Sequence, residues 1–168
     1  MNEPARATLV LGLGNPIMAD DGVGIAAIER LRTGWELPSG VELMDGGTWG
    51  MNLLPAIEAA GRLILVDAID AGAAPGADVT LERAELPRML RARLSTHQVD
   101  LLDVLAIADL RGGLPVDTVA LGLQPGRVEM STEMSPPVRA GMDRLVERVA
   151  ARLAEWGEPC RRRGAADA

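Results

Sequence analysis

Tyrosine and phenylalanine are absent from the 168 residues and tryptophan occurs three times. A folded core must therefore be aliphatic, built from Val, Leu, Ile, Ala and Met. The same scarcity leaves almost no aromatic surface on which nucleic-acid bases could stack. The net charge of −7 would repel a phosphate backbone, so no nucleic-acid partner is expected. The single cysteine, Cys160, excludes an intramolecular disulfide and suits a reducing compartment. The first apolar run follows the polar stretch Met1–Thr8 and stops at Gly12 and Gly14. It is too short for a signal peptide or a membrane span. A cytoplasmic protein without a membrane partner is the expectation. One histidine cannot form a His-Glu-x-x-His zinc helix, and no Gly-x-Ser-x-Gly elbow is present.

What is present reads as one α/β domain over residues 1–157, followed by a flexible C-terminal tail over 158–168. Apolar residues make up 48% and charged residues 24% of the chain, which is ordinary globular usage. Leu9–Leu13 is a short apolar run ending among glycines, as in a buried strand. Val23, Ile25, Ala26, Ala27, Ile28 and Leu31 then give a helical stripe from Asp21 to about Gly34. Val41–Met44 is a second strand, and Thr48 is placed to cap a helix reaching Gly61. Leu63–Val66 is the most apolar run and should be central. Asp78–Glu82 alternates polar and apolar residues after a connection too short for a helical crossover, which predicts an antiparallel strand. A polar loop, Ser95–Gln98, precedes a helix over 100–110, and Thr118–Leu123 is the last strand. The stripe Val138, Met142, Leu145, Val149, Leu153 and Trp156 marks a final helix opened by Pro136-Pro137. These elements predict a three-layer α/β/α sandwich with a mostly parallel sheet of about five strands, one of them antiparallel.

Such sheets bind ligands beyond the carboxyl ends of their strands, where the strand order reverses. Acidic residues gather at these ends: Asp20-Asp21 after the first strand, Asp45 after the second, Asp67 after the third. His97 follows in the Ser95–Gln98 loop. Two carboxylates and an imidazole make an oxygen/nitrogen donor set suited to a divalent transition metal. Each residue also has a plainer reading. Asp21 could cap a helix, Asp45 could serve a turn, and His97 could be an ordinary surface residue. Asp67 ends an apolar strand, where a carboxylate is costly unless paired or ligating. Gly12-x-Gly14 lacks the third glycine of a dinucleotide fingerprint, and Cys160 has no histidine near it in sequence.

Taken in order, Gly12-Leu-Gly-Asn15, Asp20-Asp-Gly-Val-Gly24, Asp45-Gly-Gly-Thr48, Leu65-Val-Asp-Ala68 and Ser95-Thr-His-Gln98 resemble the hydrogenase maturation endopeptidases. Gly122-Leu-Gln-Pro125 and Met134-Ser-Pro136 belong to the same pattern, which runs from Leu9 to about Trp156. That family trims a C-terminal extension from the large-subunit precursor of nickel–iron hydrogenases. The resemblance implies that Asp21, Asp67 and His97 are both metal-contacting and catalytic. It also implies that Asp45, Gly46, Gly47 and Thr48 hold the substrate. The family position matching Asp21 is often Glu, one methylene longer. No permanently bound cofactor is implied. Nickel would arrive in the precursor, and zinc or a similar divalent ion could occupy the site in vitro. A monomer of aspartyl type is expected. Two rivals stand beside this reading. Gly12–Pro16 also looks like the opening of bacterial peptidyl-tRNA hydrolases, but those place a catalytic His soon after it and none occurs here before His97. A non-catalytic nickel-binding maturation chaperone would use the same trio.

Overall fold

The computed structural model of the chain describes residues 6–86 and 96–164, without the side chains of 96–100. Three strands consist of runs buried on both sides: β1 (Thr8–Leu13), β4 (Arg62–Ala68) and β6 (Thr118–Leu123). Near-continuous apolar runs of this kind belong to a sheet covered by helices on both faces. With β3 (Val41–Gly47) and β5 (Asp78–Glu82) they form a five-stranded sheet in the order β3-β1-β4-β6-β5. All pairings are parallel except β5 with β6. The Leu63–Val66 run is central, as its composition predicts, and Asp78–Glu82 is the antiparallel member.

Alternation along each strand divides the core into two layers. Val10, Ile64, Val66 and Leu121 face α1 (Val23–Gly34) and α4 (Pro136–Glu155), where Ile28, Leu31, Met142, Leu145 and Val149 meet them. Leu9, Leu11, Leu63 and Leu65 face the opposite way, onto α2 (Leu54–Ala59) and α3 (Thr96–Leu110) through Leu53, Ile57, Leu101, Val104 and Leu105. Each such aliphatic side chain contributes about 1.5–3 kcal/mol on full burial, so the missing aromatics are replaced by number.

The strand order reverses between β1 and β4. From β1 the chain passes through α1 to β3 on one side, and from β3 through α2 to β4 on the other. Glycines let α1 approach the sheet there: a β-carbon on Gly24 would lie 2.2 Å from the Val66 carbonyl oxygen.

Local boundaries differ from the sequence pattern in five places, the first being β3, which continues through Asp45 to Gly47 where a turn is expected. Asp21 lies in a 3-10 turn, Ala19–Gly22, and α1 begins only at Val23 with Gly22 as its cap, so Asp21 is not the helix cap. Thr48 does not cap a helix either. Gly50, at φ +53°, breaks the chain after it, a 3-10 turn Gly50–Leu53 intervenes, and α2 ends at Ala59. α3 starts at Thr96, so the backbone of His97 lies in the first helical turn rather than in a loop. The segment beyond Gly157 folds back: Arg161–Arg162 (β7) pairs with Trp35–Glu36 (β2), and the Arg162 guanidinium lies 5.2 Å from the Trp35 ring centre. Among the described residues no helix is long and apolar enough to cross a membrane.

Candidate active site at the strand switch point

Asp21 and Asp67 stand on the two sides of the reversal, one in the turn after β1 and the other near the end of β4. Both are almost wholly buried, at 3% and 1% exposure. A buried carboxylate is costly without hydrogen bonds. Asp21 Oδ2 accepts the Asn15 amide at 2.9 Å, and Asp67 Oδ1 accepts the Ala68 amide at 2.8 Å.

Gly14 separates the two acids. It adopts φ +111°, and a β-carbon there would lie 1.8 Å from the Asp21 carbonyl oxygen and 3.6 Å from Asp67 Oδ1. Glycine is required both by that dihedral and by the absence of room. The Gly12-x-Gly14 pattern thus serves close packing, Gly12 against Gly24 and Ile28 of α1 and Gly14 against the Asp21 backbone beside the Asp67 carboxylate.

The neighbouring Asp20 has a different task. It is fully buried and accepts the amides of Gly126 at 2.8 Å, Arg127 at 2.9 Å and Ser135 at 2.6 Å, with the Ser135 hydroxyl at 2.7 Å. Burial pushes its carboxyl upward, yet the donors from Ser135, Arg127 and Gly126 outweigh burial and hold it below the ordinary Asp value. Asp20 therefore ties the segment between β6 and α4 to the turn that carries Asp21. Ala19, just before it, has φ +52° and donates its amide to the Ser131 carbonyl at 2.7 Å. A non-glycine residue in that region is strained, and the strain lies next to the two acids.

Gln124 plays the matching part on the other side. Its Oε1 accepts the amides of Ala71 at 2.8 Å and Ala73 at 3.1 Å, while Nε2 donates to Asp70 at 3.0 Å. The loop that follows Asp67 is thereby fastened to the end of β6. Asp20, Gln124 and Ser135 lie inside the sequence motifs but serve as framework residues, a role that their spacing does not show. An Asp-Asp pair whose first member is aimed away from its neighbour leaves no signature in spacing.

Asp45 lies one strand further out. In the ladder it pairs with Gly12, which in turn pairs with Val66, so it is about 10 Å from the β4 end at two strand spacings. Its side chain is exposed, as is Thr48. Gly46 is buried, with Leu11 Cδ1 2.7 Å from where a β-carbon would be, and the Gly47 carbonyl accepts the Gly14 amide at 3.0 Å. The Asp45–Gly47 end of β3 is thus joined to the Gly14 turn, although the side chains of Asp45 and Thr48 are exposed. The side chain of His97 lies outside the described residues, and among those described no group of three His, Cys, Asp or Glu side chains could hold a metal ion. Cys160 is remote in the C-terminal segment, where burial first and the Glu158 charge second push its thiol up, away from the nucleophilic thiolate.

Fold and site together define an open α/β-sheet protein with a buried acidic pair at its strand switch point. The model of the hydrogenase maturation protease family matches residues 25–152. The hydrogenase expression/formation protein HupM of Azotobacter chroococcum mcd 1 is 40% identical over 151 residues, spanning 89% of this chain and 72% of that protein. The hydrogenase 2 maturation protease of Escherichia coli K12 is 36% identical over 150 residues, 89% of this chain and 92% of the relative. Among solved structures, the hydrogenase maturating endopeptidase HybD from E. coli superposes with a TM-score of 0.89 at 35% identity, covering 94% of this chain and 98% of that one. The chain belongs to the hydrogenase maturation protease family. Its activity is that of an endopeptidase of hydrogenase maturation, and membership sets aside the peptidyl-tRNA hydrolase reading.

Proposed function

We propose that the chain removes the C-terminal extension of a nickel-loaded nickel–iron hydrogenase large-subunit precursor, and that Asp21, Asp67 and His97 read the nickel the precursor brings. The observation that carries this reading is the burial of Asp21 and Asp67 on either side of Gly14, at the point where an open sheet binds ligands. Two carboxylates and an imidazole bind a divalent ion with moderate affinity, whereas a thiolate-rich site would retain it. A site of this kind engages a finished precursor and releases it after the cut. Nickel seated in the substrate would supply polarisation of the scissile carbonyl or activation of water, with a nearby carboxylate of this chain as the base. The two buried carboxylates support an aspartyl-type reading. Asp45, Gly46, Gly47 and Thr48 hold the substrate beside them. The protein acts as a monomer in the reducing cytoplasm, zinc or another divalent ion can enter the trio in vitro, and no resident cofactor takes part.

The test is processing of purified precursor with and without nickel, followed by intact-mass spectrometry. Shortening of the nickel-loaded form alone is expected. Uncut precursor in both forms, with nickel held firmly by the isolated protein, would identify a maturation chaperone instead.

A further inference from the structure

The two edges of the sheet are finished differently. Along β5, Arg144 donates to Asp78 at 2.9 Å, Arg148 donates to the Val79 carbonyl at 2.8 Å, and Arg152 donates to Glu82 at 2.6 Å. Charged side chains laid along an edge protect it from pairing with another chain. β3 has no such cover among the described residues. Its only backbone ladder there is the parallel one to β1, opened by the Thr8 amide on the Gly40 carbonyl at 2.8 Å.

In a parallel ladder the bonding residues of a strand alternate. Counting from that bond, Glu42 and Met44 turn their N–H and C=O groups to β1, while Leu43 and Asp45 turn theirs outward. Beside the outward edge lies a depression of about 260 Å³ walled by Ala7, Leu9, Met44, Ala56, Ala59 and Ala60, with Glu42 at its margin. Neither Glu42 nor Asp45 is in an ion pair among the described residues. The edge is acidic, and its Asp45–Gly47 end is joined to the Gly14 turn.

We propose that the precursor segment around its cleavage point adds to β3 as an extended strand. It exchanges backbone hydrogen bonds with Leu43 and Asp45 and lays one side chain with an apolar stem and a cationic end in the alanine-walled depression. Strand addition of this kind draws affinity from the main chain and specificity from alternate side chains. It also delivers an extended peptide to the acidic pair. The inference rests on the protease reading above and names how that substrate is held.

The test is steady-state processing of nickel-loaded precursor by Leu43→Pro, which removes an outward N–H without touching the β1 ladder. KM should rise about tenfold, the effect of losing roughly 1.4 kcal/mol, with kcat little changed. Leu43→Ala removes much of the same side chain but keeps the amide, and its KM should rise far less. Amide exchange in the precursor complex of an inactive Asp67→Asn enzyme supplies a readout independent of proline. Leu43 and Asp45 should gain protection, while Glu42 and Met44 stay as they were. Equal KM values for wild type and Leu43→Pro overturn the proposal, as do unprotected Leu43 and Asp45 amides should Leu43→Pro not fold. If the wild-type enzyme leaves the precursor whole, the protease reading itself has failed, which is a distinguishable result.

Discussion

Ser135 gives Asp20 both its amide, at 2.6 Å, and its hydroxyl, at 2.7 Å, across 115 residues of sequence. With the Gly126 and Arg127 amides on the same carboxylate, this contact decides where the turn holding Asp21 stands relative to the segment between β6 and α4.

Asp20→Ala leaves three backbone donors without their acceptor. Hydrogen bonds to a charged group contribute about 1.5–3 kcal/mol each, though not additively, so a loss of about 3 kcal/mol or more is expected. Urea unfolding measures it. Processing should fall as well, since the Asp21 turn loses its anchor. Wild-type stability in the variant would show that the cluster is incidental.

The same carboxylate sets a pH dependence. Its folded pKa lies below the ordinary Asp value, so its stabilisation is present above the unfolded value, about 3.9, and is lost as pH falls through the lower folded one. The stability gap between wild type and Asp20→Asn should be constant above about pH 5 and should narrow below about pH 4. Unfolding curves at several pH values check this, and a gap that widens in acid has the wrong sign.

Gly14→Ala forces a β-carbon to within 1.8 Å of the Asp21 carbonyl at a φ of +111°. Strain and overpacking together should cost about 3 kcal/mol or more. The displacement falls on Asp21 and borders Asp67, so processing should be lost even where enough protein folds to assay. Differential scanning calorimetry beside a processing assay separates the two effects.

Asp67→Asn keeps shape and removes charge, and processing should drop by about a hundredfold or more if the carboxylate is a proton acceptor or ligand. Circular dichroism should be unchanged. Asp21→Glu keeps the carboxylate and adds one methylene, and measurable processing should survive it. A dead Asp21→Glu enzyme would mean that the turn, braced by the Asn15 amide on Asp21, sets the reach of this carboxylate more tightly than its chemistry does.

Periodicity revealed the elements well, because burial patterns follow the two helical and strand repeats. β4 is central since Leu63–Val66 offers no polar residue to water, and β5 is antiparallel since its connection has no length for a crossover. Boundaries were less legible. The start of α1 moved because Asp20 and Asp21 spend their carboxylates on distant or preceding amides rather than on capping, and Gly50 cut Thr48 off from its helix. The pairing of Arg161–Arg162 with Trp35–Glu36 could not be read from either segment, since two-residue strands carry no period.

The sequence by itself determined the layer architecture, the aliphatic core and the set of acids beyond the strands, because these depend on composition and local repeat. Tertiary structure decided which acids share a place. Strand order put Asp21 and Asp67 on either side of Gly14 and Asp45 one strand away, and partners more than a hundred residues distant turned Asp20 into a framework residue. Contacts between elements far apart in the chain have no local signature, so the division of labour between Asp20 and Asp21 exists only in the folded protein.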